Sequence, residues 1–479
     1  MCPAFFAPIY LHGFGIVRIF AATYIIYIIG CQMDHKQATL ELGTKPIGGL
    51  LWQYALPAII AMTASSLYNI IDRAFIGQVV GADAIAGLGI TFPFMNLSAA
   101  FGAAVGVGAS TSISVKLGQK DYQTAENLLG NTVTLNLIIG LAFMAVCLVF
   151  LDPILRFFGA SDNTLPYARE FMQVILLGNV ITHMYFGMNA VLRAASKPRH
   201  AMYATLFTVG MNIILVIAFV WWFRWGIRGA AIATITSQSM ALIWQMRQFC
   251  NKEELLHLKR GIYRLRADLV KNIIGIGISP FLMNACACVI VIFMNNQLVS
   301  YGGDMAVGAY SISNSIAMMF VMFVMGVNQG MQPIAGYNYG AQNNERLMRV
   351  LNYAIIAATC IMTCGWLIAM FAPYFCARLF TTDPMLIDMG IVGIRINMLV
   401  FPLIGFQMVV SNFFQCIGKV KISIFLSLSR QLLLLLPLLL ILPSFWGIDG
   451  VWAALPTSDA LSAVIAFGMM WYYFRGNKL

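Results

Sequence analysis

Long apolar runs separated by short polar segments recur from residue 47 almost to the carboxyl end of the chain. They fall at about 47–80, 84–110, 127–151, 166–190, 200–223, 226–249, 270–299, 305–331, 347–373, 385–412, 418–443 and 447–474. Each reaches the roughly 20 apolar residues that a helix needs to cross a bilayer core. The shorter alternating segments of a membrane β-barrel are absent. The pattern therefore predicts an all-α polytopic membrane protein of twelve spans. A further apolar stretch, Phe14–Gly30, precedes them. It fits an extra helix, or a signal with a lipoprotein-type site at Ile28-Ile29-Gly30-Cys31. It also fits a true start at Met33, which leaves the short polar tail Asp34-His35-Lys36-Gln37. The last reading is preferred, because a cleaved signal would place a Lys-bearing tail on the wrong side of the membrane.

Composition agrees with the periodicity. Of 479 residues, 60% are hydrophobic and 10% charged, against about 45–50% and 25% in soluble domains. The net charge of +11 could suggest nucleic acid, but the basic residues are spread through short loops rather than gathered on one face. They carry topology instead. Twenty Lys and Arg lie in the loops on the side of the Asp34–Lys45 tail and six on the opposite side, which predicts cytoplasmic termini in an inner membrane. Of the ten cysteines, Cys147, Cys286, Cys288, Cys360, Cys364 and Cys416 sit inside apolar runs. None has the spacing of a zinc site, so they read as reduced packing residues and no metal is expected.

The most charged segment, Asn251–Lys271, divides the spans into two sets of six and reads as a solvated linker touching headgroups. The expected organisation is a tail over 1–45, one lobe over 46–250, a linker over 251–269 and a second lobe over 270–479. At a shift of about 220 residues the lobes match. Ala55-Leu56-Pro57 pairs with Ile278-Ser279-Pro280, Gly81-Ala82-Asp83 with Gly302-Gly303-Asp304, Gly226-Ile227-Arg228-Gly229 with Gly447-Ile448-Asp449-Gly450, and Thr236-Ser237-Gln238 with Thr457-Ser458-Asp459. An even number of spans per copy predicts lobes related by a pseudo-two-fold axis along the membrane normal.

With Ser66-Leu67-Tyr68-Asn69-Ile70-Ile71-Asp72 following Pro57, Gly229-Ala230-Ala231-Ile232-Ala233-Thr234 in span six, and Gly326-Val327-Asn328-Gln329-Gly330 through Pro333 to Gly340-Ala341 in span eight, the chain resembles the multidrug and toxic compound extrusion (MATE) family. The resemblance is to its bacterial drug-efflux branch and covers Lys45 to Phe474. It implies a twelve-helix antiporter, not an enzyme, that exports amphipathic, cationic organic compounds in exchange for H⁺ or Na⁺ by alternating access of two lobes. The expected partners are small-molecule substrates, a coupling cation and the lipid bilayer, with no nucleic acid and a monomeric state. It also implies a cation site in the first lobe at Asp72, Asn212 and Thr234. Val216 stands where the family usually has a second acid, one turn after Asn212.

Physical weighing of the polar residues adds a second candidate site. An intramembrane carboxylate is costly unless it is neutralised or meets water, and the candidates are Asp72, Asp459 and Asp388. Asp72 could instead pair with Arg73. Asp459, three residues after Pro456 and aligned with Gln238, could be a coupling group or a structural hydrogen-bond partner. His183 reads as a satisfied packing group rather than a relay. Met318, Met319, Met322 and Met325 form either a soft ligand wall or ordinary packing. Pro57 is the expected hinge of span one. With one titratable acid and few oxygen ligands, the site suits a proton better than Na⁺. The alternatives are a lipid-linked saccharide flippase, which should line its cavity with cations whereas only Arg395 and Arg430 lie deep in spans, and a membrane-embedded enzyme, for which no DxxxD, HExxH or GxSxG occurs.

Overall fold

The computed structural model describes residues 35–79, 82–251 and 254–477, without the side chains of 35–38, 69–74, 77–79, 82–86, 304 and 477. The Phe14–Gly30 stretch and Met33 lie outside the described residues, as do the side chains of Asp72 and Arg73.

After a short helix, His35–Thr44, the spans follow as Ile47–Val79, Ala82–Gly118, Tyr122–Val149, the bent pair Leu165–Leu177 and Asn179–Ala194, Pro198–Val216, and Gly226–Arg247. The second lobe begins with spans seven and eight, Ala267–Gly303 and Met305–Gly340, which follow each other directly across a kink at Gly303 (φ 66°). It continues with Asn344–Phe371, the bent pair Pro384–Asn397 and Phe401–Cys416, Val420–Trp446, and Ile448–Asn477. Among the described residues nine helices are long and apolar enough to span alone, and eleven spans result when each bent pair counts as one. The twelfth is Gly226–Arg247, which the polar cluster Thr234, Thr236, Ser237, Gln238 and Ser239 makes too hydrophilic to qualify by composition. Spans four and ten are bent by 58° and 49°, where the sequence pattern predicts unbroken helices. Gly178 marks the first break, and Pro402 follows the second, disfavouring helical geometry in the residue before it.

The repeat is visible in the backbone. Lys120 and Gln342, Ser196 and Gly418, and Gly226 and Gly447 all have positive φ at matching loop positions. Asp121 and Asn343 cap spans three and nine alike, each accepting a backbone N–H three residues ahead at 3.1 Å.

The lobes meet mainly through spans one and two against seven and eight, and the buried apolar contact across the seam is concentrated toward the linker end. Buried apolar side chains near the linker form one cluster that crosses the seam and includes Leu50, Ala109, Met331 and Ile334. At the far end the core divides into separate clusters, one around Phe94, Phe171 and Val220, the other around Met294, Leu439 and Trp452. Glycines permit this contact. A methyl group at Gly277 would lie 2.2 Å from the Ala104 carbonyl oxygen, and one at Gly108 would lie 1.9 Å from that of Ile273. Gly330 and Gly326 of span eight press on the backbone of Ala55 and Ile59, on either side of Pro57. Gln332 adds polar contacts, donating to Ser110 Oγ and Thr111 Oγ1 at 2.8 Å. Overpacking of this kind costs about 1–3 kcal/mol, so Gly277→Ala should wedge the linker end apart. The expected result is roughly tenfold faster labelling of a cysteine placed at Thr111, by a reagent on the linker side. Unchanged labelling would show that this seam is not the gate.

Most of the linker from Lys259 to Asp268 is exposed, and its backbone is also pinned to the first lobe. Asn131 of span three donates to the carbonyls of Ile262 and Arg264 at 3.3 and 3.2 Å and accepts the Arg266 N–H at 2.9 Å. Thr134 donates to the Tyr263 carbonyl at 2.9 Å. Ile262 is buried against Gly130. Lys197 and Glu254 form a buried ion pair at 2.8 Å. Burial holds the Lys197 ammonium below the ordinary lysine range, and Glu254 opposes that shift. Glu126 receives both Lys259 and His257. The eight described cysteines are free, but Cys360 and Cys364 are exposed on the helix surface rather than packed.

Candidate functional site in the first lobe

Small residues draw span six against span five. Gly229 comes close to the Phe219 backbone, where a methyl group would lie 3.1 Å from its carbonyl carbon and oxygen. Ala230, Ala231 and Ala233 are buried beside it. That approach brings Asn212 of span five to Thr234 of span six: Asn212 Nδ2 donates to Thr234 Oγ1 at 3.1 Å. It also donates to Ser237 Oγ at 3.4 Å. Sequence reasoning did not single out Ser237, although it stands in the repeated Thr-Ser-Gln/Asp triplet.

The donor and acceptor inventory defines what this site can do. The Thr234 hydroxyl spends its hydrogen on the Ala230 carbonyl at 3.1 Å, and Ser237 spends its own on the Thr234 carbonyl at 2.9 Å. Both amide hydrogens of Asn212 are directed at those hydroxyl oxygens. Among the described residues Asn212 Oδ1 is left buried with no partner, and Asn212 as a whole is 2% exposed. A buried acceptor without a donor costs about 1–3 kcal/mol. The site is therefore short of one positive or hydrogen-bearing group. Span one, which carries Asp72, packs on span five. Val216 is buried at 3% exposure and contributes an apolar wall. Among the described residues no group of three His, Cys, Asp or Glu side chains could hold a metal ion.

The second candidate pair separates in the structure. Gln238 Oε1 accepts from Thr182 Oγ1 of span four at 2.6 Å. Its repeat-equivalent, Asp459, accepts from Arg430 Nε of span eleven at 2.6 Å and is 5% exposed. Ser458, the counterpart of Ser237, donates to the Arg430 carbonyl at 2.7 Å. Both lobes thus tie the last helix of the repeat to the one before it through the same serine. The second lobe does so around a closed ion pair, the first around an open acceptor. Arg430 lies in a π-helical turn, Ser429–Leu435, and span five ends in another, Ile217–Trp222. Such turns often accompany functional sites.

His183 is fully buried and its Nε2 meets the Ser98 carbonyl at 2.8 Å, while Nδ1 has no partner among the described residues. The methionine stripe does not pack wholly inside its own lobe: Met322 receives the Ser66 hydroxyl of span one across the seam, and Met318 and Met319 are exposed. Span one stays helical through Pro57.

The MatE family profile matches residues 57–218 and 279–441, one copy in each lobe. The chain is 26% identical over 429 residues to "Multidrug export protein MepA" of Staphylococcus haemolyticus, covering 90% of this chain and 94% of that protein. It also resembles a solved structure described as the outward-facing conformation of a multidrug resistance MATE family transporter of the MOP superfamily, with TM-score 0.84, 25% identity and coverage of 91% and 97%. A MOP superfamily transporter from Pyrococcus furiosus, for which reverse polarity of the binding pocket suggests a different function, is equally similar, with TM-score 0.85, 25% identity and the same coverage.

Proposed function

Because the chain belongs to the MATE family, we propose that it is a proton-coupled antiporter that exports amphipathic, cationic organic compounds. Membership makes the chain a multi-pass membrane transporter and not an enzyme. The further reading rests on one observation above the others: Asn212 and Thr234 meet where a coupling site is expected, and that site presents a single bare acceptor, Asn212 Oδ1. A protonated Asp72 carboxyl would supply the missing O–H. A sodium ion needs several oxygen ligands, and here the hydroxyl oxygens already accept from Asn212 while Val216 offers none.

The charge asymmetry of the loops puts the linker end in the cytoplasm. The seam contact concentrated there then corresponds to a cavity open to the outside, in keeping with the outward-facing transporter the fold resembles. Protonation of Asp72 from that side removes the cost of a charge in the membrane and satisfies Asn212. Span one then repacks at Pro57, between the two glycine contacts that join it to span eight. The substrate leaves outward, and deprotonation toward the cytoplasm resets the lobes. The flippase alternative is weakened by the pairing of Arg430 with Asp459, which leaves Arg395 as the one unpaired cation deep in a described span.

Export of a fluorescent cationic dye from proteoliposomes, under separately imposed proton and sodium gradients, tests this reading. A pH gradient alone is expected to drive export and a sodium gradient alone to leave it at background. Export that follows sodium and ignores pH would reject proton coupling.

A further inference from the structure

The pinned linker sits where the lipid-facing surface of the protein begins. On span three its last anchor is Thr134, and the large exposed apolar side chains start at Leu137, Ile138 and Leu141, about 5 Å further along the helix axis at 1.5 Å per residue. On span seven, exposed Ile274 and Ile278 follow Lys271 by one and two turns. The linker runs between these two edges and is held by its backbone carbonyls, so the exposed side chains of residues 263–265 are presented from fixed positions. Tyr263 and Leu265 are 41% and 40% exposed although large and apolar. Arg260, Arg264 and Lys271 are exposed and form no ion pair among the described residues, whereas Lys259 is held by Glu126 and Arg266 by Asp268.

We propose that this strap is a docking surface for anionic phospholipids of the leaflet on the linker side. Arg260, Arg264 and Lys271 bind the headgroup phosphates, and Tyr263 and Leu265 enter the boundary with the acyl chains. A water-soluble anion would gain nothing from the two apolar groups. A soluble protein partner would have to displace the headgroups that the adjoining lipid-facing bands bring to the same level. An aromatic or apolar side chain interleaved with cations at the hydrocarbon edge is the arrangement that interfacial anchoring uses. Because the strap is fastened to the first lobe and leads directly into span seven of the second, lipid bound there touches both lobes at the linker end of the seam.

The test uses the full chain in nanodiscs that mix phosphatidylcholine with phosphatidylglycerol. Quenching of the protein's tryptophans by brominated phosphatidylglycerol, against brominated phosphatidylcholine, reports the preference for the anionic lipid. Arg260→Gln, Arg264→Gln and Lys271→Gln should each lower that preference, by up to about fivefold per charge near the surface. Asn131→Ala, which removes the main anchor and no charge, should lower it as well. Arg224→Gln and Arg378→Gln at the opposite end should leave it unchanged. A preference that survives the triple substitution would overturn the proposal, as would its loss to soluble glycerol phosphate at matched concentration.

Discussion

Asp72→Asn is expected to abolish gradient-driven export while leaving the protein folded and able to bind dye. Span one contains no other acid, and the polar groups gathered across from it by spans five and six carry no titratable side chain. In the proposed mechanism the drive comes from the difference between a charged and a neutral Asp72. A charge costs about 2.5–3.5 kcal/mol at the centre of a span on insertion scales, and Asp72 lies two turns from the outer end of its helix, so the shift in a two-state equilibrium is at most of the order of a hundredfold. An amide keeps the shape and can donate to Asn212 Oδ1, yet it never titrates. The substitution should therefore hold the first lobe permanently in its proton-loaded form. Dye export under a pH gradient should fall by up to about a hundredfold, with dye binding to detergent-purified protein weakened but measurable. Full export by Asp72→Asn would sink the coupling mechanism and leave family membership untouched. Asp459→Asn should reduce export less, because its charge is already neutralised inside the protein.

The largest effect on stability is expected at that second carboxylate. Removing one partner of a buried ion pair strands the other, at a cost of about 3–5 kcal/mol, whereas removing both is often close to neutral. Arg430 keeps a side-chain exposure of 28%, so the lower end of that range applies. Arg430→Gln and Asp459→Asn should each lower the midpoint of thermal unfolding in detergent by several degrees, and the double variant should recover most of the loss. Strictly additive losses would mean that the two side chains do not stabilise each other. If the double variant also exports dye, the pair serves architecture rather than coupling, and the two lobes divide their labour: one holds a site open to a proton, the other a charge pair closed on itself.

The sequence by itself determined the class of the protein, because a helix in a bilayer must satisfy its own backbone and the apolar length that this requires is written locally. The repeat was legible for the same reason: Gly226 and Gly447 are local signals that each copy must retain to turn its chain, and the structure adds matching caps at Asp121 and Asn343. The family resemblance named Asp72, Asn212 and Thr234, and the structure brings the last two of them together. What the sequence could not state was which polar groups meet across helices. Arg430 and Asp459 are separated by a full turn of chain through the membrane, and Gln238 and Asp459 occupy the same register yet find different partners. Their partners depend on how each helix is rotated and how closely it approaches its neighbour. Small residues and breaks along the helices set both, as Gly229 does for span six and the bend at Gly178 does for span four. The linker followed the same logic. Its charge suggested solvent, and Asn131 and Gly130 on span three also gave its backbone a place to bind; only the packed structure shows that a polar, glycine-notched helix face had been left for it.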